Sequence, residues 1–327
     1  MSGQLLREYE AAIKFMNEGD DYLVVSHVQP DGDAISSTLA TAWLLRKLGK
    51  RVTLVNEDTV PDRLRFMNGS ELIQPLGGLS SDLRFSRIVA VDCADFKRIG
   101  RVSERFAEGY ELLNIDHHPT NNLYGVANLV VPDAAATAQI LYELIAAHGL
   151  KLDVEAAEML YTGLLTDTGG FRYSNTDTRV MTTAAKLLEA GVNGHAIADR
   201  LLEAMSLPQL KLLRLGLNRM QFQYGDRVCS MLITPEDMAD TGAAPEDLEG
   251  LVNYARNVEG VEAGVLFKGM RDGSVKASLR SGTTLDVSAI AASFGGGGHV
   301  RAAGCRLDGP EAMPLLLAAI GEALESL

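Results

Sequence analysis

A two-domain α/β protein is what this sequence predicts: a mostly parallel-sheet domain at the N-terminus, then a smaller α/β domain, with a cleft between them. Three observations carry the prediction. Short apolar, β-rich runs alternate with segments of helical period through the first half, the pattern of βαβ units. At 327 residues the chain exceeds one average domain and can bury two cores. Beyond residue 216 a second set of strand-like runs gathers around a helix.

Taken in order, strands are expected at residues 22–26, 51–55, 87–91 and 112–115, each short and bounded by polar or turn residues. Residues 34–48, rich in Ala and Leu and closed by Gly49, read as a crossover helix. Helices follow at 137–148, 153–165 and 177–190, each opened by Thr or Asp as an N-cap; Gly149 and Gly191 close the first and last. The first domain is thus placed at 1–190. Residues 191–216 carry Gly194 and Pro208 in a helical pattern and read as a linker. The second domain, 217–327, has strands expected at 227–234, 261–268 and 274–280, a helix near 248–256 and a last helix over 311–325. No internal repeat or low-complexity tract is present.

Composition narrows the function. Hydrophobic residues at 46% and charged residues at 22% are ordinary globular usage. No run approaches the roughly 18 apolar residues of a membrane span, and the start, through Arg7, Glu8 and Glu10, is unlike a signal peptide, so a cytoplasmic protein is expected. Cys93, Cys229 and Cys305 are odd in number and lack C-x-x-C spacing, which argues for small buried residues. A net charge of −13 disfavours a coat on long nucleic acid, whose binding relies on many Lys and Arg contacts, but admits a short anionic substrate held by cations.

The chemistry gathers where strands end. Catalytic groups of open α/β sheets collect at the carboxyl ends of strands. There the sequence places His27 in His27-Val28-Gln29-Pro30-Asp31-Gly32-Asp33, then Asp92, then Asp116-His117-His118. Asp167 follows, where an apolar helix runs out into a Gly-rich turn. Singly, such an Asp is as readily a cap, and Asp31 with Asp33 fits the start of the next helix. Together, carboxylates and imidazoles without thiols favour Mn²⁺ or Mg²⁺, in a cluster able to hold two ions that grip a phosphate and activate water.

The series His-x-x-x-Asp-Gly-Asp, a strand-end Asp, Asp-His-His and a later Asp, in this order, resembles the four motifs of the DHH phosphoesterases. The resemblance implies that His27, Asp31 and Asp92 hold one metal, and Asp33, Asp92, His117 and Asp167 the other. It further implies that His118 faces the substrate phosphate and assists the leaving group, with Asp116 orienting the histidine pair. Ser36 departs from the pattern, since many relatives carry Gly there; Ser is also small at a helix start.

Near the C-terminus, Phe294-Gly295-Gly296-Gly297-Gly298-His299 leads into Arg301-Ala302-Ala303-Gly304 after a short helix capped by Asp286. A flexible loop is the plain reading; glycines that admit backbone N–H groups to an anion are the other. The segment is similar to the signature of the DHH-associated C-terminal domain, which implies nucleotide contacts through Gly296, Gly297, Gly298, His299 and Arg301, and a phosphate contact at Arg280. Arg256 and Lys268 read more simply as a solvated face. Arg172 and Tyr173, close after Asp167, are candidates to pair with phosphate and stack on a base.

Within that family, length and arrangement are most similar to small bifunctional bacterial enzymes. These release mononucleotides from very short RNA and dephosphorylate adenosine 3′,5′-bisphosphate. The resemblance implies a hydrolase of phosphoric esters with two divalent ions, Mn²⁺ before Mg²⁺. Short RNA oligonucleotides and nucleotide bisphosphates are its expected partners, with neither long nucleic acid nor membrane, and a homodimer is left open. Hydrolysis of linear or cyclic dinucleotides is the alternative activity. A nucleotide-binding module without turnover is the alternative of a different class, disfavoured because no expected ligand is substituted.

Overall fold

The computed structural model describes residues 3–327. The chain divides into two compact units, Met1–Ala204 and Met205–Leu327.

The first unit holds a six-stranded, wholly parallel sheet in the order β3-β2-β1-β4-β5-β6. Its strands are β1 (Tyr22–Val25), β2 (Val52–Asn56), β3 (Ile73–Pro75), β4 (Phe85–Val91), β5 (Phe106–Asp116) and β6 (Ala127–Val130). Helices α1 (Gly3–Glu18), α2 (Gly32–Lys47), α3 (Thr137–Ala147), α4 (Val154–Asp167), α5 (Thr178–Glu189) and α6 (Gly194–Ala198) complete it. Burial on both faces explains the continuous apolar runs of the central strands. Along β1, Tyr22 and Val24 join the core under the helices, while Leu23 and Val25 join a second core with Ile99 and Val102. The latter two belong to the 3-10 segment Phe96–Arg105.

The second unit opens with α7 (Leu207–Asn218) and contains α8 (Pro235–Thr241), α9 (Leu251–Arg256), α10 (Val287–Ser293) and α11 (Met313–Glu325). Its sheet, in the order β11-β12-β10-β9-β8-β7, uses β7 (Gln221–Gln223), β8 (Val228–Ile233), β9 (Ala263–Gly269), β10 (Val275–Ser281), β11 (Gly297–His299) and β12 (Ala302–Leu307). Only β8 and β9 run parallel. Among the described residues no helix is long and apolar enough to cross a membrane, and all three cysteines are buried and unbridged.

Several expectations need correction. Helix α1 was read only for its charges, yet Tyr9, Ala12, Phe15 and Met16 form a buried stripe at helical spacing. Strands β3 and β6 went unseen because edge strands of three and four residues give little periodicity. Strand β5 begins at Phe106, six residues before the expected start, since Glu108 to Glu111 are exposed and read as polar. Thr137 does not cap α3: Ala136 occupies the cap position and Thr137 is the first helical residue. The expected helix at 248–256 is a 3-10 turn, Pro245–Leu248, followed by α9, and that at 311–325 likewise opens as the 3-10 turn Pro310–Ala312. Strands β7, β11 and β12 and helix α8 were not foreseen.

The glycine run is partly sheet rather than loop. A Cβ at Gly296 would lie 2.1 Å from the Gly304 carbonyl oxygen, so glycine there lets the run close on β12, with which Gly297, Gly298 and His299 pair. Gly49, Gly149 and Gly191 have φ of +76°, +69° and +106° and end their helices as expected.

Candidate metal centre

The order of the first sheet reverses between β1 and β4, neighbours whose successors lie on opposite sides. Loops leaving such a switch point diverge and open a crevice at the strands' carboxyl ends. His27 lies just past β1, Asp92 just past β4, Asp116 ends β5, and His117 and His118 follow it. From the helices come Asp31, the N-cap of α2, Asp33 in its first turn, and Asp167, the last residue of α4. His27, Asp33, Asp92, Asp116 and His117 are all buried.

Asp92 sits at the middle. Its Oδ2 lies 3.6 Å from His27 Nε2, which is 4.0 Å from Asp31 Oδ2. Its Oδ1 lies 3.6 Å from His117 Nε2, which is 3.3 Å from Asp167 Oδ2. His27, Asp31 and Asp92 offer atoms within 4.8 Å of one another, as do Asp33, Asp92 and His117. Most of these separations exceed a hydrogen bond. Neighbouring ligands about 2.1 Å from one cation stand about 3.0–3.4 Å apart in octahedral or tetrahedral geometry, a spacing that His117 and Asp167 meet and that the other pairs exceed by a few tenths of an ångström.

Tautomers agree with this. Nδ1 of His27 donates to the Val28 carbonyl at 2.8 Å, and Nδ1 of His117 to the Ala134 carbonyl at 3.2 Å. Each ring therefore turns Nε2 to the carboxylates, with a lone pair for a metal when neutral. His118 differs: its Nδ1 lies 2.7 Å from Asp116 Oδ1. Asp116 Oδ2 accepts from Asn121, whose amide also donates to Asn114, and Asn114 donates to the Ala90 and Cys93 carbonyls and Tyr124. This buried chain fixes Asp116, and Asp116 fixes His118.

Charge is crowded here. Burial pushes the Asp33 carboxyl well above its ordinary range, and the charges of Asp92 and Asp167 push it further. Asp167 is pushed up to about 6, first by burial, with His117 acting the other way. Burial would also raise Asp92, but His27, His118 and His117 around it hold it well below the usual range. His27 and His117 are drawn down by burial and more than restored by their aspartates. Buried carboxylates this close oppose one another's ionisation, and divalent cations remove that opposition.

The capping reading of the two early aspartates also has substance. Asp31 Oδ1 accepts from Ala34 N, leaving Oδ2 toward His27. Asp33 instead serves another helix: its oxygens accept from Thr137 N at 2.6 Å and Ala138 N at 3.0 Å, at the start of α3. Sequence reasoning missed those supports. It also missed Gly163, where a Cβ would fall 2.6 Å from Asp33 Oδ1; a glycine within an otherwise apolar helical run was the available signal.

The remaining candidates are distributed. Arg172 donates through Nε to the Gly169 carbonyl at 2.6 Å, and Tyr173 is 40% exposed, its ring over Gly169. In the second unit Arg280 lies on β10 opposite Ala302, and Gly297, Gly298 and His299 form β11. Arg301 donates to the carbonyls of Leu285 and Thr283, so its guanidinium braces the loop before α10.

Fold and site together define the class: an α/β protein whose parallel sheet gathers carboxylates and imidazoles placed for a metal site. The chain belongs to the DHH family, matching the DHH family N-terminal domain over residues 21–164 and the DHHA1 domain over residues 226–326. It is 38% identical over 293 residues to the bifunctional oligoribonuclease and PAP phosphatase NrnA of Thermus thermophilus, covering 89% of this chain and 85% of that protein. The Bacillus subtilis protein of the same name is 26% identical over 295 residues, 88% of this chain and 90% of the relative. Among solved structures, an exopolyphosphatase-related protein from Bacteroides fragilis aligns with a TM-score of 0.87 at 27% identity, over 98% of this chain and 96% of that one.

Proposed function

We propose that this chain is a two-metal phosphoesterase that releases mononucleotides from very short RNA and removes the 3′-phosphate of adenosine 3′,5′-bisphosphate. The names of its relatives, oligoribonuclease and PAP phosphatase, support the substrates. The observation that carries the chemistry is the division at Asp92, one oxygen toward His27 and the other toward His117. In this reading His27, Asp31 and Asp92 hold one ion, and Asp33, Asp92, His117 and Asp167 the other. Two divalent ions, Mn²⁺ in preference to Mg²⁺, would supply positive charge to the phosphate oxygens and lower the pKa of a bound water.

The chain's own groups do the rest. Asp116 engages Nδ1 of His118, so Nε2 is the nitrogen that addresses the substrate and holds a proton for the leaving oxygen. Arg172, Tyr173, Arg280, Gly296, Gly297, Gly298, His299 and Arg301 are the proposed contacts to nucleotide, Arg301 chiefly through the loop it braces. A cytoplasmic address belongs to the same reading.

The test is product release from adenosine 3′,5′-bisphosphate, RNA of two to five residues and long RNA, with Mn²⁺ and with chelator. Chelator-sensitive turnover of the first two, with long RNA spared, is the expected result. Cleavage of long RNA, or preference for dinucleotides over both, would replace the substrate assignment, and no turnover with metal bound would replace the enzyme reading.

A further inference from the structure

Thr137 is fully buried in the first turn of α3, and its polar groups turn to acidic side chains. Its backbone N–H donates to Asp33 Oδ2 at 2.6 Å, and its hydroxyl lies 3.2 Å from Asp92 Oδ1. Since a carboxylate only accepts, the hydroxyl is the donor. Thr38, in mid-helix, behaves differently: it donates to the Ala34 carbonyl at 2.8 Å, the usual bond back along the helix. Thr137 at the first helical position has no such carbonyl within its own helix, so its proton goes across to Asp92.

At 3.2 Å the Thr137 hydroxyl stands closer to the Asp92 carboxylate than any of its imidazole neighbours. Asp92 has φ of +52°, a left-handed conformation uncommon outside glycine, and its imidazole neighbours stand 3.6–3.7 Å away. The same oxygen, Oδ1, faces His117. One turn of α3 thus grips both Asp33 and Asp92.

We infer that Thr137 is the positioning residue that orients Asp92 between the two halves of the metal centre and sets the spacing of Asp92 from Asp33. The inference rests on the two-ion reading of the cluster. Thr137→Val keeps the shape and removes the donor; Thr137→Ser restores the donor. Mn²⁺ binding by titration calorimetry, and the melting temperature in Mn²⁺ and in chelator, are the measurements. In Thr137→Val the weaker ion should bind about tenfold or more less tightly, the range for lost outer-shell partners. The Mn²⁺-induced rise in Tm should shrink while Tm in chelator stays near wild type, and Thr137→Ser should recover both.

Unchanged affinity for both ions in Thr137→Val would overturn the inference. So would a fall in Tm in chelator as large as in Mn²⁺, or a chain that does not fold, because the role would then be ordinary packing. Wild-type protein that binds two ions yet hydrolyses no phosphoester would defeat the functional reading alone, leaving the binding comparison intact.

Discussion

Asp92 bears the largest share of the site's geometry, because it faces three imidazoles from a backbone conformation that costs about 1–3 kcal/mol in isolation. Asp92→Asn keeps the shape and removes half the donor strength; it should lose one ion and reduce turnover at least a hundredfold, checked by metal content beside kcat. His118→Ala should instead keep metal content and lower kcat, since Nδ1 is engaged with Asp116; loss of metal would move His118 among the ligands. Gly163→Ala is a packing test: a methyl 2.6 Å from Asp33 Oδ1 and 2.7 Å from Ala138 Cβ must shift both the carboxylate and the start of α3 that holds it, so Mn²⁺ affinity should fall with little change in helix content by circular dichroism. Metal uptake should also depend on pH with a definite sign. Asp33 and Asp167 are raised, the latter to about 6, and His27 and His117 are raised too, so the cluster without cations holds protons that ligation must expel. Affinity should therefore rise with pH through about 6 and above, with proton release visible in buffers of different ionisation enthalpy.

The elements explain which parts of this were readable beforehand. The ends of β1, β4 and β5 were legible because buried parallel strands are short apolar runs, and the residue after each run is the one aimed at the rim. Helix α4 was legible through Asp153, which accepts from Ala156 N and caps it as expected. That aspartate also accepts from Trp43 Nε1 at 2.9 Å and pairs with Lys47, tying α4 to α2, the two helices that bring Asp167 and Asp33. Asp153→Ala should cost about 1 kcal/mol of stability in denaturant titration. Burial raises the Asp153 carboxyl, but the Ala156 amide, Trp43 and Lys47 hold it below its ordinary value. Its contribution is thus present above about pH 4 and lost as pH falls through the folded value. What could not be read were the supports that cross between elements. Nothing local says that Thr137, 104 residues from Asp33, will hold it, or that Asn114 and Asn121 brace Asp116. Those depend on register, which apolar periodicity leaves open.

At the scale of the molecule, an acidic chain of net charge −13 concentrates aspartates at one rim and would repel the phosphates it is proposed to cleave. Cations resolve both problems together, neutralising the cluster and presenting positive charge to the substrate. Binding to the folded state alone should then stabilise the protein, with Tm rising as free Mn²⁺ exceeds Kd. The two-ion centre is tested by turnover of adenosine 3′,5′-bisphosphate followed against Mn²⁺ bound per chain, starting from protein stripped by chelator. The expected result is two ions per chain at saturation, with activity appearing only as the second site fills. Full activity in the stripped protein, or saturation at a single ion with full turnover, would contradict it.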